Sequence, residues 1–327
     1  SYGFTGNTEI GVYESLATLG TSNWILGNQL VSGFFPNKIP NPDLKWERTG
    51  QFDIGLDLGL FNNRLRITTD YYKKKTTDLL YSVAVPATSG YQTMLKNIGS
   101  IENQGYELSI ESDNLTGAFS WTTAFNIAFN RNKVLELGGE EYKEMAEGDG
   151  HLKTGSVRRL IVGEPIGVFY GYRFDGIFQN EEECKQQTSS ASPIGVGLRR
   201  YKDLNGDGKV DAANDREILG DANPKFFGGL TNTFAYKGFE LNVFLQYSYG
   251  NKILNYNAME LENPTGGQNA YADMVNRWTP ENPYSEGPRT WDRENQYWIN
   301  NDNTYFMRNA NYLRLKNIEL GYTFNFE

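Results

Sequence analysis

Cysteine and histidine are almost absent from the sequence, which has Cys184 and His151 as its single representatives among 327 residues. One thiol excludes a disulfide within the chain and a cysteine-rich metal site. One histidine, in a glycine-rich acidic stretch and with no nucleophile-elbow motif anywhere, gives no basis for Ser-His-Asp catalysis. Acid pairs are common, but solvated loop carboxylates explain them better than glycoside hydrolysis does. We therefore expect that the protein is not an enzyme.

Long apolar runs and an excess of basic charge are also missing. No segment approaches the roughly 18 apolar residues of a membrane-spanning helix, and the mean hydropathy is -0.58, so a helical membrane protein is excluded. Lys and Arg total 31 against 40 acidic residues, for a net charge of -9. A nucleic-acid partner is not expected, because phosphate binding needs a concentrated basic surface.

Alternation of apolar and polar residues is what the sequence has in abundance. In the clearest segment, the apolar positions are Phe52, Ile54, Leu56, Leu58 and Leu60, and the polar or small ones are Asp53, Gly55, Asp57 and Gly59. The pattern recurs at 119–130, 239–249 and 317–326, each about the ten residues that a tilted strand needs to cross a bilayer. Because successive side chains of a strand alternate between faces, the pattern is typical of a transmembrane β-barrel wall with one face toward lipid.

Turn signals and loop lengths organise these segments. Asn62-Asn63, Thr116-Gly117 and Lys237-Gly238 predict short hairpin turns, whereas the connections at 6–45, 76–95, 135–224 and 252–309 are long. With short turns on the periplasmic side, the long connections are extracellular, and the count closes at eight antiparallel wall strands. The stretch 166–178 resembles a strand, but strand parity predicts extended structure inside the loop region 135–224.

The first residues, Ser1 to Asn7, have neither the charged nor the apolar region of a signal peptide. An outer-membrane protein requires such a signal. We therefore expect the sequence to be a segment of a longer chain.

The strongest local motif is a calcium-like loop at 203–215. Oxygen ligands occur at positions 1, 3, 5 and 9 of an EF-hand pattern, with a carbonyl at position 7 and Gly208 at position 6. The twelfth position is Asn214, where the pattern has a glutamate, and the next residue, Asp215, is expected to supply the missing carboxylate. The expected ligands of a structural Ca²⁺ are Asp203, Asn205, Asp207, Lys209 through its carbonyl, Asp211 and Asp215. The alternative is that the glycines mark two consecutive turns.

Tryptophans in the long loops are the remaining candidates for a binding site. Flat aromatic faces can stack on sugar rings or bury themselves against a partner. The candidates for substrate or partner contact are Trp278, Trp291 and Trp298. Packing of one loop on another is the alternative for all three.

Several stretches together resemble the barrel region of SusC/RagA-family TonB-dependent transporters. In family order they are NPDLKWE at 41–47, NIGSIENQG at 97–105, GEPIGVFYGY at 163–172, DLNGDG at 203–208, RWTPENP at 277–283 and YLRLKNIELGY at 312–322. The resemblance covers essentially the whole chain, so 1–327 is expected to be part of one TonB-dependent receptor-type β-barrel domain.

The resemblance implies a plugged outer-membrane barrel of 22 strands, of which this chain forms about eight. It also implies import of an oligosaccharide, or in some members a peptide, powered by the TonB complex and assisted by a SusD-like surface lipoprotein. The expected location is the outer membrane of a Gram-negative, Bacteroidetes-type cell. The family's plug, TonB box and final strands are expected to lie outside this sequence.

Two other interpretations stay open on the sequence alone. One is a secreted, calcium-dependent, glycan-binding β-sandwich, in which the apolar strand faces pack on each other. The other is a small, complete eight-stranded outer-membrane barrel.

Overall fold

The computed structural model describes residues 1–7, 11, 13–145, 157–262, 269–289 and 303–324. His151 and two of the predicted contact residues, Trp291 and Trp298, lie outside the described residues.

Strands dominate the described residues. They are β1 (Tyr2–Asn7), β2 (Thr18–Leu26), β3 (Gln29–Lys38), β4 (Glu47–Leu60), β5 (Leu65–Thr77), β6 (Leu80–Ala84), β7 (Thr93–Asn97), β8 (Ser100–Leu115), β9 (Phe119–Glu136), β10 (Tyr142–Met145), β11 (Arg158–Ile161), β12 (Val168–Tyr172), β13 (Phe174–Ile177), β14 (Thr188–Ser189), β15 (Arg199–Tyr201), β16 (Lys209–Val210), β17 (Arg216–Gly220), β18 (Phe226–Tyr236), β19 (Phe239–Tyr249), β20 (Lys252–Leu254), β21 (Met307–Asn309) and β22 (Tyr312–Tyr322).

Helices are short. The α-helices are α1 (Glu181–Gln186), which carries Cys184, and α2 (Tyr256–Leu261), and single 3₁₀ turns occur at Ala87–Ser89, Ala272–Asn276 and Thr304–Phe306. Among the described residues, no helix has both the length and the apolar character needed to cross a membrane.

Eight strands form one sheet in the order β1-β4-β5-β8-β9-β18-β19-β22. The pairs from β1 to β8 and from β18 to β22 are antiparallel, and β1 and β22 lie at the two ends of the order. The predicted all-β class and the count of eight wall strands are confirmed. The strands also have the predicted turns at one end and the four long connections at the other.

The turns differ in detail from their prediction. Lys237 and Gly238 form the predicted short turn, which has two residues, and both have positive φ, 49° and 85°. Between β4 and β5, however, pairing ends at Leu60 and Leu65, so the loop is four residues long. Phe61 joins Asn62 and Asn63 in the left-handed region, with φ of 54°. The prediction of a two-residue Asn-Asn hairpin was wrong, because an aromatic residue in this conformation has no sequence signal.

The chain divides into two compact units. The first comprises 1–114, 122–141 and 162–164, and the second comprises 115–121, 142–161 and 165–327. The second unit contains a separate sheet, β10-β11-β12-β17, and the pair β13-β15. The predicted extended structure at 166–178 is therefore present as β12 and β13, outside the eight-stranded sheet.

The hydrophobic core lies in the second unit, among the long connections. One cluster of buried side chains consists of Val157, Phe169, Leu219, Leu254, Ala258, Met259, Phe306 and Met307. A smaller cluster consists of Tyr172, Ala191, Tyr201 and Val210. The rings of Tyr172 and Tyr201 stack with centroids 5.4 Å apart. The long connections of this unit are thus packed structures with their own core.

Candidate functional site

One face of strands β4, β5 and β8 is polar and acidic. The Arg66 guanidinium lies 3.0 Å from a carboxylate oxygen of Glu111 and 3.7 Å from one of Asp113. The Thr68 hydroxyl donates a hydrogen bond of 2.6 Å to Asp57. Asp53, Asp57, Asp70, Glu107, Glu111 and Asp113 share this face by register. Since Arg66 neutralises few of these carboxylates, the face is suited to water and polar solutes.

The opposite face of the same strands is apolar and exposed. Exposed fractions along β4 are 44% for Phe52, 59% for Ile54, 53% for Leu56, 41% for Leu58 and 42% for Leu60. Leu58 pairs with Ile67 of β5, which pairs with Ile110 of β8, and the apolar row therefore continues across strands. Such a large exposed apolar face marks a surface that another apolar phase covers.

The calcium-like loop is closed by hydrogen bonds from its own backbone. Asp203 accepts from Gly206 N–H and Gly208 N–H, both at 2.7 Å. Asp215 is fully buried, and its two oxygens accept from the N–H groups of Leu204 and Asp211, both at 2.8 Å. These contacts bring the first and last predicted ligands into one compact turn.

Charge around Asp211 completes this loop. The Lys209 ammonium lies 3.0 Å from Asp211 Oδ2. That contact, with the N–H groups of Asn214 and Ala213, holds the pKa of Asp211 below its usual value, and Asp211 in turn raises the pKa of Lys209. Within the described part of the chain, no three His, Cys, Asp or Glu side chains converge as a metal-binding group. Each carboxylate oxygen that accepts one N–H still has a second lone pair. The oxygen atoms are therefore of the kind that binds Ca²⁺, but among the described residues the side chains do not converge on one point.

Trp278 is the one predicted contact residue that lies within the described residues, and it belongs to the long connection 252–309. Its side chain is 8% exposed, and its indole N–H donates a hydrogen bond of 3.3 Å to Gln179 Oε1. The backbone of Gly197 packs directly on the ring, where a Cβ would lie 2.5 Å from Cε3. The packing of one loop on another, which was the alternative, describes the position of Trp278 in the structure, and its contact with a substrate or partner stays a prediction.

A cavity of about 930 Å³ opens beside this tryptophan in the second unit. Aromatic, basic and acidic groups all reach it. The residues that line it include Glu262, Arg277, Tyr284, Tyr305 and Arg308. Tyr284 is 94% exposed at this site, so its ring is free to receive a ligand. Volume and mixed lining are typical of small-molecule sites.

Tyr305 and Glu262 set the electrostatics of the cavity. Burial, assisted by the Glu262 carboxylate, raises the pKa of Tyr305 to about 12, and the Arg199 and Arg308 guanidinium groups oppose the shift. Arg308 lies 3.7 Å from Glu262 Oε1, and Glu262 Oε2 is buried without a hydrogen-bond partner. These residues could not be found from the sequence, because α2 and the turn at Thr304–Phe306 are far apart in the chain. The RWTPENP stretch was the one available signal.

The sheet is an antiparallel wall with one acidic face and one exposed apolar face. It has short turns at one end and long loops at the other. These features together define a segment of an outer-membrane β-barrel. Residues 4–327 match the family model described as "TonB dependent receptor-like, beta-barrel". The chain therefore belongs to the TonB-dependent receptor β-barrel family, whose members are outer-membrane transporters and receptors of Gram-negative bacteria and not enzymes.

Curated relatives agree with this assignment. TonB-dependent receptor P3 of Formosa agariphila is 39% identical over 323 residues, which are 98% of this chain and 32% of the relative. TonB-dependent receptor SusC of Bacteroides thetaiotaomicron is 29% identical over 338 residues, with coverage of 99% and 31%. The chain thus spans about a third of the length of the curated relatives it matches.

Among solved structures, the RagAB peptide transporter superposes with a TM-score of 0.78 at 27% identity. The match covers 98% of this chain and 33% of the other. The SusC/RagA resemblance is confirmed, and neither a secreted β-sandwich nor a complete eight-stranded barrel is favoured.

Proposed function

We propose that the chain forms part of the wall and extracellular loops of a SusC-like transporter that imports oligosaccharides through the outer membrane. The observation that carries the proposal is the division of one sheet into an apolar and an acidic face, because a barrel that admits polar cargo needs that division. The proposed partners are the TonB complex, which supplies energy, and a SusD-like lipoprotein at the extracellular mouth. A Bacteroidetes-type outer membrane is the proposed location.

The cavity in the second unit is the proposed first contact for cargo. Tyr284 offers an exposed ring to a sugar face, and Arg277 and Arg308 offer donors to hydroxyl oxygens. A peptide is the second candidate cargo. It is favoured by the opposite charges of Glu262 and Arg308 in one cavity, which match the charged groups of a peptide.

The experiment is uptake by cells that carry the complete protein. Labelled oligosaccharides and labelled peptides are supplied to wild-type cells, to an in-frame deletion and to a Tyr284→Ala strain, with Tyr13→Ala as the matched control, since Tyr13 is 69% exposed and lies in the first unit. The deletion should abolish uptake of oligosaccharides, and Tyr284→Ala should reduce it about fivefold, the magnitude of one aromatic contact. Unchanged uptake of both cargo classes in the deletion strain would contradict the proposal, and loss of peptide uptake alone would select the second cargo.

We also propose that the loop at 203–215 binds a structural Ca²⁺. The supporting observation is the buried Asp215, whose carboxylate accepts hydrogen bonds from Leu204 N–H near the start of the loop and from Asp211 N–H near its end. Extracellular loops meet millimolar calcium, at which sites of about 10⁻⁴ to 10⁻³ M fill.

Proteolysis of intact cells tests the calcium proposal. A chelator should expose the loop to protease, and added Ca²⁺ but not Mg²⁺ should restore protection, because Mg²⁺ dehydrates reluctantly. A cleavage rate that ignores both chelator and metal would contradict the proposal.

A further inference from the structure

The apolar face of the sheet ends in a basic, concave patch on the side of the long loops. Tyr2, Phe52 and Lys73 are register partners across β1, β4 and β5. The apolar residues of β4 lie below this row and end at Leu60. From Phe52 to Leu60 there are eight residue steps, which span roughly 20 Å along the membrane normal in a tilted strand. This span is close to the height of a barrel's apolar band. Lys73 in this row, and Arg48 and Lys75 above it, make the same face basic. The change from apolar to basic therefore falls where hydrocarbon gives way to headgroups.

The patch has a defined shape. A concavity of about 450 Å³ lies over Gly50, between Phe4 on one side and Lys75 on the other. Gly50 forms its floor, since Gly50 pairs with both Phe4 and Lys75 and has no side chain to fill the space. The ring of Phe4 leans over this floor, 3.0 Å from where a Cβ would stand.

Two cations of the patch are available to an anion. Lys73 is paired with Glu102 at 3.0 Å, but in the described part of the chain Lys75 has no ion pair. The Arg48 guanidinium lies over the Phe4 ring at 4.1 Å from the centroid. Stacking occupies the face of a guanidinium and leaves its N–H edges free for phosphate oxygens.

We propose that this patch binds the phosphorylated headgroup of a glycolipid in the outer leaflet. Arg48 and Lys75 contact the phosphate, and Phe4 and Phe52 border the first part of the acyl chains. Charge complementarity selects a phosphate, and the position next to the apolar band selects a lipid over a soluble anion. The inference rests on the membrane orientation of the proposed function but is independent of the cargo.

The test uses the complete purified protein in detergent and monophosphoryl lipid A as the probe, with bound lipid counted by native mass spectrometry. Arg48→Gln with Lys75→Gln should weaken binding about 25-fold, at about fivefold for each basic group. Lys74→Gln is the matched control, because Lys74 is the neighbouring lysine on the opposite face, where it lies over Tyr72. It should bind as the wild type does.

Gly50→Val provides a second variant that changes no charge. It places a branched side chain on the floor of the concavity, against the Phe4 ring, and should weaken binding similarly. Heat-modifiable migration on gels verifies that each variant is folded. Equal binding by the wild type and the double variant would overturn the proposal. So would an equal loss in Lys74→Gln, or equal binding of a glycolipid without phosphate. Uptake of cargo is measured separately, so that failure of lipid binding and failure of transport are distinguishable.

Discussion

Asp215 and Leu204 are joined by a hydrogen bond of 2.8 Å from the Leu204 N–H to Asp215 Oδ1, across a loop of eleven residue steps. The other oxygen of the same buried carboxylate accepts from Asp211 N–H. One side chain therefore holds both the entry of the calcium-like loop and its later part through backbone N–H groups.

Replacement of this carboxylate should open the loop. In Asp215→Asn, the side-chain NH₂ group faces one of the two backbone N–H groups, of Leu204 or of Asp211, and both are donors. The loss of this charged hydrogen bond should cost about 1.5–3 kcal/mol of stability. Hydrogen exchange in chelator should become at least tenfold faster at the Leu204 and Asp211 amides. Asp207→Asn is the control, because an asparagine oxygen can still accept from Lys209 N–H. Equal exchange in both variants would contradict the role of Asp215.

The turn between β18 and β19 should be sensitive to a single methyl group. Gly238 has φ of 85°, and a Cβ there would lie 2.9 Å from the carbonyl oxygen of Thr323. Gly238→Ala should lower the free energy of unfolding by about 1–3 kcal/mol through backbone strain. Urea denaturation of the complete protein measures the change. Gly321→Ala should be nearly neutral, because nothing lies within 4 Å of its Cβ position. A neutral Gly238→Ala would show that the turn relaxes freely.

Tyr305 should produce a loss of stability in alkali. Its pKa is raised to about 12, chiefly by burial, from 10.0. A group with a raised folded pKa contributes fully below pH 10 and loses that contribution as the pH rises through 12. The urea midpoint of the wild type should therefore fall more between pH 9 and pH 11.5 than that of Tyr305→Phe. Parallel decreases in the two proteins would contradict the assignment.

The sequence predicted the wall well because a strand face is a local property. Every second residue of β4 shares a face whatever lies elsewhere in the chain, so Phe52 to Leu60 revealed both the strand and its membrane side. The partner strands followed from the turns. Lys237-Gly238 was read correctly because its glycine tolerates positive φ, whereas Phe61 was not, since no aromatic residue favours it.

The loop region was less predictable because its contacts are distant in sequence. Trp278 is buried against Gly197 and Gln179, and nothing local in RWTPENP indicates those neighbours. The cavity that joins Glu262 to Arg308 also depends on segments more than 40 residues apart. The calcium-like loop was visible as a motif, but the burial of Asp215 was not.

The most direct measurement of the central claim is the accessibility of spin labels along β4 in the complete protein, reconstituted in lipid. Cys184→Ser removes the single native thiol of this chain, and cysteines are then placed one at a time from position 52 to 60. Labels at Ile54, Leu56 and Leu58 should collide with lipid-dissolved oxygen and be shielded from a water-soluble nickel complex, whereas labels at Asp53 and Asp57 should show low oxygen accessibility. A period of two residues is the predicted result. Shielding of Ile54, Leu56 and Leu58 from oxygen, or accessibility without that period, would contradict a lipid-facing wall.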